Sequence, residues 1–394
     1  MATHQANILV SYLQEQQSAM IHLLKEIVAA ESPSTIKAAQ DQTFKLLSQA
    51  LTHNGYQTNR MVGQNTGGYL YARPNSRKRY QPIQLLLGHC DTVWPLNTLQ
   101  DMPVHIQEEK MSGPGVYDMK AGLVQLIFAL QALFDLSMEC RVTPVVLINS
   151  DEEIGSHEST PMIRRLARIA DRALILEPSL GLSGKLKTSR KGVGRFTIIV
   201  HGKAAHAGLD PTKGVSAIVA LSHTIQELFK MNDPARGISV NVGMIEGGIR
   251  PNVVAPESRA VVDVRVPTQK DAERITRKIK NLKPVHPEVT IEVEGYIGRP
   301  PMELTPRNLL LWNMAQSAGN ALGIELEGAM AGGGSDANTT SQYTATLDGL
   351  GAIGDGAHAK HEFVYIDKMI ERTALLALIL LGEPIQKERK IPKK

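Results

Sequence analysis

A histidine and an aspartate follow the first apolar run of the chain that is typical of a buried strand. The run spans 83–89, ends at His89, and is followed by Asp91. Alternate side chains of a strand share a face, so His89 and Asp91 point the same way and Cys90 points opposite. A metal-binding histidine usually donates its second ring N–H to a carboxylate, which Asp91 is placed to accept. Taken alone, His89 fits better as a satisfied core histidine, and the neighbouring acid favours the metal ligand.

Further acids follow two other apolar runs. Glu152 and Glu153 come after the run 144–149, and Glu177 comes after the run 173–176. In open α/β sheets, ligands bind beyond the carboxyl ends of the strands. Adjacent side chains diverge there, so one of the paired glutamates can bind a metal while the other faces substrate as a base. An acidic turn without function is the alternative for each segment.

Asp118 and two histidines lie in glycine-containing loops. Asp118 closes the loop 113–118, which precedes an apolar helix. Its carboxylate either caps that helix or bridges two metal ions, one oxygen to each. His358 and His361 stand in a loop before the last helix, and the residues alone leave the choice between them open.

Together these side chains supply imidazoles and carboxylates at the ends of different strands. Such a set suits two zinc ions about 3.5–4 Å apart, a spacing at which one carboxylate bridges both. Ligands of this kind also accept cobalt or manganese. The sequence has no paired Cys-x-x-Cys motif, which argues against a structural zinc site.

The order of apolar patterns predicts two domains. Strands alternate with helices in the first part of the chain, which indicates an α/β layer with a largely parallel sheet. Residues 188–299 instead predict a smaller α+β unit with antiparallel strands and two helices on one face. We therefore expect a discontinuous core domain, 1–187 and 300–394, with 188–299 inserted. The predicted helices are 5–30, 36–54, 120–136, 216–231, 271–282 and 366–382, and the predicted strands are 83–89, 144–149, 173–176, 194–202, 238–245, 260–266 and 289–294.

Composition bears on partners and compartment. The net charge is +4, and the basic clusters 77–79 and 387–394 are not interleaved with aromatic residues, which make up 4% of the chain. No nucleic-acid partner is therefore expected. The most apolar run, 374–381, is shorter than the roughly 20 residues of a membrane span, and no secretory signal opens the sequence. Two cysteines fit a reducing compartment, so we expect a cytoplasmic protein without a membrane partner.

Six motifs occur in an order that resembles a known enzyme family. They are GHCDTV at 88–93, GPGVYDMK at 113–120, DEEIGS at 151–156, EP at 177–178, HGKAAHAG at 201–208 and GGGSD at 332–336. This pattern resembles the M20 zinc exopeptidases, which include glutamate carboxypeptidases, acetylornithine deacetylases, succinyl-diaminopimelate desuccinylases and aminoacylases. The resemblance covers nearly the whole chain and is nearest to the bacterial glutamate carboxypeptidases. It implies an α/β catalytic domain of the zinc-exopeptidase type and an inserted, ferredoxin-like domain that serves as a lid and in dimerisation.

The resemblance also implies a set of metal ligands. These would be His89, Asp118, Glu153, Glu177 and His361. Asp118 would bridge two zinc ions, and a histidine would bind each of them. His361 is preferred to His358 because the last histidine of the family precedes an acid in a similar loop.

Catalytic and substrate-binding residues follow from the same resemblance. Glu152 would be the general acid/base, and Asp91 would orient His89. His206, in the inserted domain, would reach an active site, often that of the partner subunit. The implied substrate contacts are Asn252, Arg265, Arg299 and Gly333. Both arginines fit packing salt bridges equally well.

These implications define the expected function. We expect a di-zinc amidohydrolase that releases a C-terminal, glutamate-like amino acid from a peptide or an N-acyl amino acid, and that forms a homodimer through the inserted domain. The alternative is an N-acyl amino acid deacylase of the acetylornithine deacetylase or aminoacylase type. A non-catalytic metal-binding homologue is disfavoured because the acid and ligand residues are intact.

Overall fold

The computed structural model describes residues 2–76, 78 and 80–385. Arg77, Arg79 and the basic segment 386–394 lie outside the described residues. In chain order the α-helices are α1 Ala2–Glu15, α2 Gln17–Ala29, α3 Gln40–His53, α4 Ala121–Asp135, α5 Thr160–Ala167, α6 Ala217–Phe229, α7 Gln269–Lys280, α8 Pro306–Ala321, α9 Asp336–Thr340 and α10 Ile366–Leu380. The strands are β1 Tyr56–Met61, β2 Tyr69–Pro74, β3 Ile83–His89, β4 His105–Gln107, β5 Lys110–Ser112, β6 Thr143–Asn149, β7 Ala170–Ile175, β8 Leu186–Arg190, β9 Gly192–His201, β10 Ser239–Gly247, β11 Glu257–Val266, β12 Thr290–Arg299, β13 Gly328–Ala331, β14 Ala345–Leu347, β15 Gly354–Asp355 and β16 Phe363–Tyr365.

The chain forms two compact units, each with its own hydrophobic core. The described residues of the first unit are 2–76, 78, 80–188, 304–330 and 335–385, and those of the second unit are 189–303 and 331–334. The second unit thus ends a few residues later than the boundary at 299 and includes a short distant segment. That segment joins it because the amide of Lys191 donates to the carbonyl of Ala331 at 3.0 Å.

A mixed, largely parallel sheet forms the centre of the first unit, as predicted. Its strand order is β1-β2-β6-β3-β7-β14. β6, β3, β7 and β14 run parallel, and β1 and β2 are antiparallel to their neighbours. Every residue of β3 and β6 is buried, which explains why these strands read as continuous apolar runs rather than alternating ones.

Helix α4 packs across this core and belongs to it. The segment Val116–Asp135 is long and apolar enough to cross a membrane, yet 89% of its most apolar window is buried inside the structure. It is therefore a core helix of the first unit, at the position of the predicted apolar helix 120–136. Gly122 allows α4 to pack closely against the end of β7, because a Cβ built on Gly122 would lie 2.1 Å from the carbonyl oxygen of Leu176.

The second unit is a four-stranded antiparallel sheet with two helices. Its strand order is β10-β11-β9-β12, and the elements follow the chain order β9-α6-β10-β11-α7-β12, which is the predicted ferredoxin-like arrangement. Phe196, Ile198 and Val200 alternate along β9 and are buried in the core of this unit.

Candidate metal centre and active site

Three neighbouring parallel strands bring the predicted acids and histidine to one edge of the sheet. His89 is the last residue of β3. Glu152 and Glu153 follow β6, and Glu177 follows β7. Because β3 lies between β6 and β7 and runs parallel to both, the carboxyl ends of all three strands meet at the same edge.

The imidazole of His89 is buried among acceptor oxygens. Its Nδ1 lies 3.0 Å from the backbone oxygen of Asp91 and 3.4 Å from the Oδ1 of the same residue. A carbonyl oxygen only accepts, so Nδ1 carries a proton and Nε2 is the ring nitrogen directed into the site. Nε2 faces two carboxylates, at 3.3 Å from Asp118 Oδ1 and 3.5 Å from Glu177 Oε1. An imidazole nitrogen among carboxylate oxygens is the arrangement that a bound cation would satisfy.

Asp118 sits between two imidazoles. It lies in the π-helical turn Val116–Lys120 with a non-helical backbone, φ −111° and ψ 96°, and the residue that caps α4 is Lys120. Its Oδ1 faces His89, and its Oδ2 lies 3.5 Å from Nε2 of His358. Each carboxylate oxygen is thus directed to a different imidazole, as a bridging ligand requires.

Two buried ligand atoms at this place have no hydrogen-bond partner. Among the residues that the structure describes, His89 Nε2 and Asp118 Oδ1 are both buried and unpaired. Leaving such atoms unsatisfied costs about 1–3 kcal/mol each. The donor set and its two orphaned atoms therefore fit a divalent cation.

The second histidine at the site is His358 and not His361. Nε2 of His358 lies 3.1 Å from Oε2 of Glu153. Both histidines are exposed, but among the residues that the structure describes His361 makes no hydrogen bond or ion pair with a carboxylate. The prediction of His361 is therefore wrong, because the imidazole that contacts these carboxylates is that of His358. The physical reason is the backbone of this loop: Gly356 has φ +81° and His358 has φ +61°, and these left-handed residues turn the earlier histidine toward the site.

The ligand atoms form two overlapping groups. Atoms of His89, Glu152 and Glu177 lie within 4.8 Å of one another, and so do atoms of His89, Asp118 and Glu153. Both adjacent glutamates therefore reach the cluster, one in each group. This fits their position just past a strand end, where neighbouring side chains diverge.

Asp91 connects His89 to the loop that carries both glutamates. Its buried carboxylate accepts hydrogen bonds from the amides of Glu152 and Glu153, both at 3.2 Å. The hydroxyl of Ser34 donates to the same carboxylate at 2.7 Å. Asp91 thus holds the glutamate backbone as well as lying beside the histidine ring. The contact with Ser34 carries no signal in the sequence, because the two residues are 57 positions apart.

Carboxylates outnumber imidazoles in this cluster, and the ionisation of its members reflects that. Hydrogen bonds to Asp118 and Glu153 raise the pKa of His358 to about 10. Burial raises the pKa of Asp118, but the neighbouring imidazoles of His358 and His89 lower it more, to well below the usual range of an aspartate. Burial raises the pKa of Glu153. A buried excess of negative charge favours cation binding.

Glu362 is a buried acid to which the sequence analysis gives no role. It is fully buried, and its Oε1 accepts from the amides of Tyr117 at 2.9 Å and Asp118 at 3.0 Å. Its Oε2 accepts from the amide of Gly115 at 2.9 Å and from the indole of Trp94 at 3.0 Å. Burial raises the pKa of Glu362, and these N–H donors work in the opposite direction.

His206 and Asn252 lie on adjacent segments of the second unit. The amide of Ala207 donates to the carbonyl of Asn252 at 3.0 Å. Nδ1 of His206 accepts from the amides of Gly208 and Leu209, both at 3.1 Å. Because Nδ1 accepts, Nε2 carries the proton and is the atom left to donate. The predicted roles of these two residues stay predictions.

The remaining predicted substrate contacts also belong to the second unit. Arg265 makes a forked contact with Asp263, at 2.8 Å and 3.1 Å, and its predicted contact with substrate stays a prediction. Arg299 ends β12. The carbonyl of Gly333 accepts from Arg190 at 3.1 Å, and a Cβ built on Gly333 meets nothing within 4 Å.

Comparison with known proteins identifies the class of this chain. Residues 85–382 match the model of peptidase family M20/M25/M40. The match spans the strands and loops that build the cluster described above. The protein is therefore a metallopeptidase-type hydrolase that acts on C–N bonds, and the chain belongs to peptidase family M20/M25/M40.

Named relatives agree with this assignment. Carboxypeptidase G2 of Pseudomonas sp. (strain RS-16) is 27% identical, over 97% of this chain and 93% of its own length. The solved structure of aminopeptidase PepT from Bacillus cereus has a TM-score of 0.77 at 21% identity, covering 93% of this chain and 98% of that one. The Bacillus subtilis YXEP protein, a dinuclear metal-binding peptidase of the M20 family, has a TM-score of 0.69 at 15% identity over 93% of this chain and 98% of its own. Both structural likenesses establish the fold.

Proposed function

We propose that this protein is a two-zinc carboxypeptidase that cleaves the amide bond holding a C-terminal, glutamate-like amino acid in a peptide or an N-acyl amino acid. The residues that would hold the metal ions are His89, Asp118, Glu153, Glu177 and His358. Similarity over almost the whole length of Carboxypeptidase G2 supports a carboxypeptidase. Cobalt or manganese would suit the same ligands.

The observation that carries the proposal is the pair of orphaned atoms. His89 Nε2 and Asp118 Oδ1 face each other at 3.3 Å, buried and without hydrogen-bond geometry. A structural ion pair would have aligned them, since an imidazolium N–H donates along its ring plane. A divalent cation held by these residues would satisfy both atoms.

The chain's own residues divide the chemistry. When bound, two divalent cations supply Lewis acidity and bring the pKa of a water molecule toward neutrality. Glu152, which lies beside His89 and Glu177, would take a proton from the attacking water and deliver it to the leaving nitrogen. Asp91 keeps the two glutamates in place through their amides.

A substrate screen tests the proposal. Protein loaded with zinc, cobalt or manganese is offered dipeptides ending in glutamate, dipeptides with other C-terminal residues, and N-acetyl and N-succinyl amino acids. We expect free glutamate to appear fastest from the peptides. Glu152→Gln, prepared in parallel, sets the background from contaminating peptidases.

The same screen distinguishes the carboxypeptidase from the alternative, an N-acyl amino acid deacylase. Faster turnover of N-acyl amino acids than of any peptide would replace the carboxypeptidase by a deacylase with the same centre. Metal-loaded protein that turns over neither class would overturn the proposal.

We further propose that the protein is a homodimer that pairs through the second unit. Support comes from the edge strand β10, where Met244 and Ile245 are 58% and 59% exposed, and from Ile249, which follows it and is 72% exposed. Ile218, at the start of α6, lies next to the end of β10 and extends this surface. The two are close, since a Cβ built on Gly247, the last residue of β10, would lie 3.1 Å from the Ile218 side chain. Exposed apolar residues on a strand edge favour pairing with another chain.

A further inference from the structure

Glu362 joins two loops that are far apart in the sequence. One loop, 113–118, ends at Asp118, and the other, 354–362, contains His358. Their flanking strands pair, since Ser112 of β5 lies opposite Phe363 of β16. Glu362 lies directly before β16, at the end of the strand pair that holds both loops together.

Its carboxylate organises the backbone under Asp118. The carboxylate accepts hydrogen bonds from the amides of Gly115, Tyr117 and Asp118 at 2.9–3.0 Å. These amides belong to a turn whose backbone is not helical at Asp118. The backbone hydrogen bonds of this π-helical turn are donated at its end, by Lys120 to Gly115 and by Ala121 to Val116. The amides at its start have no earlier turn to donate to, and Glu362 accepts from them instead.

The same residue fixes the other loop. The amide of Glu362 donates to the carbonyl of Ala359 at 3.0 Å, and the amide of Ala359 donates to Gly356 at 2.8 Å. The loop is tight, because a Cβ built on Gly356 would lie 2.9 Å from the Cα of Glu362. His358 therefore stands on a short, closed turn whose end is Glu362.

From this geometry we infer that Glu362 is a positioning residue that sets the separation of Asp118 and His358 and thereby the affinity of the metal centre. All four of its side-chain partners are N–H groups, which only donate. A carboxylate has two acceptor oxygens for them. The amide of a glutamine has one, and its NH₂ would face two donors. The inference rests on the proposed metal site.

The test compares metal binding in Glu362→Gln and Glu362→Ala with the unaltered protein. Zinc affinity is measured by calorimetry on metal-free protein, and the visible spectrum of the cobalt-loaded form reports ligand geometry. We expect affinity to fall about 10–100-fold, the range found when partners of metal ligands are removed, and the cobalt bands to shift. Both changes concern binding, so they are seen without any substrate.

Asp171→Asn is the matched control. Asp171 is equally a buried acid of the first unit, and it accepts from the amide of Ile385 at 3.0 Å near the start of β7, at the opposite end of the strand from Glu177. We expect it to lower the melting temperature without altering zinc affinity or the cobalt spectrum. A residue with a merely structural role would behave like this control.

A milder variant covers the case in which the Glu362 variants do not fold. Trp94→Phe removes one of the four donors and leaves the three amides paired. It should weaken zinc binding by a few fold and shift the cobalt bands in the same direction. Unchanged affinity and spectrum in folded Glu362→Gln, or in Trp94→Phe, would overturn the inference. Unaltered protein that binds no zinc or cobalt would instead overturn the proposed function.

Discussion

At the scale of single residues, the environment decides what each acid at the site does. Glu152 and Glu153 are neighbours in the sequence and are both half-buried. Glu153 contacts His358 at 3.1 Å, and its carboxylate lies within 4.8 Å of ligand atoms of Asp118 and His89. Glu152 instead lies within the same distance of ligand atoms of Glu177 and His89. Their backbone amides are bound to the two oxygens of one carboxylate, that of Asp91, which keeps the pair divergent.

This divergence predicts opposite phenotypes for two isosteric substitutions. Glu152→Gln should reduce kcat by about 10²–10⁴-fold, the usual contribution of a general acid/base, and should retain both metal ions. Glu153→Gln should lose about one metal equivalent, because an amide oxygen is a poorer ligand than a carboxylate. Metal content after dialysis and single-turnover rates measure the two effects. Loss of metal from Glu152→Gln would exchange the roles of the two residues.

The sequence predicts part of this site and misses the rest for identifiable reasons. His89, Glu153 and Glu177 meet as expected, because they follow strands whose apolar runs are unmistakable. The prediction of His361 fails because the turn at Gly356 and His358 depends on left-handed backbone at a non-glycine residue, which no local pattern indicates. Hydrogen bonds between distant segments, such as those of Glu362, leave no periodicity to detect.

At the scale of elements, several long periodic segments are predicted well, whereas the short strands and the 16-residue helix α8 are missed. The strand predicted at 83–89 is β3 to the residue, and the helix predicted at 120–136 is α4 within one residue at each end. The helix predicted at 5–30 is two helices, α1 and α2, that divide at Gln16. The strands β13 to β16 have two to four residues each, too few for a period to appear.

Helix α4 also sets the position of a site residue, and one substitution tests this. Alanine is a better helix former than glycine by about 1 kcal/mol, so Gly122→Ala would ordinarily stabilise the protein. Here its Cβ would lie 2.1 Å from the carbonyl of Leu176, the residue before Glu177. We therefore expect the sign to reverse, with a loss of roughly 1–3 kcal/mol in the free energy of unfolding and weaker zinc binding.

Urea denaturation and zinc calorimetry check this prediction. Gly333→Ala is the control, since its Cβ meets nothing within 4 Å and its φ is not positive. It should change neither the stability nor the zinc affinity. A Gly122→Ala protein more stable than the original would show that α4 has room to move from the strand end.

At the scale of the whole molecule, the two units have separate cores and different surfaces. The core of the first unit contains α4, α10 and the central strands, and the core of the second unit joins β9 and β11 to α6 and α7. The sheet of the second unit has two edges, β10 and β12. They differ in chemistry: β12 carries two exposed acids, Glu292 and Glu294, beside Tyr296, whereas β10 carries the exposed pair Met244 and Ile245 beside a single exposed acid, Glu246.

This asymmetry predicts which edge pairs with a second copy. Acidic residues on an edge strand oppose pairing with an identical strand, whereas an apolar edge gains from being covered. Ile245→Lys should therefore convert the proposed dimer into a monomer, because it places a charge in the surface that the dimer would cover. Tyr296→Lys on β12, at a side chain 69% exposed, should leave the dimer intact. Sedimentation velocity over a range of concentrations measures both, and a dimer that survives Ile245→Lys, or dissociates with Tyr296→Lys, would assign the interface to another surface.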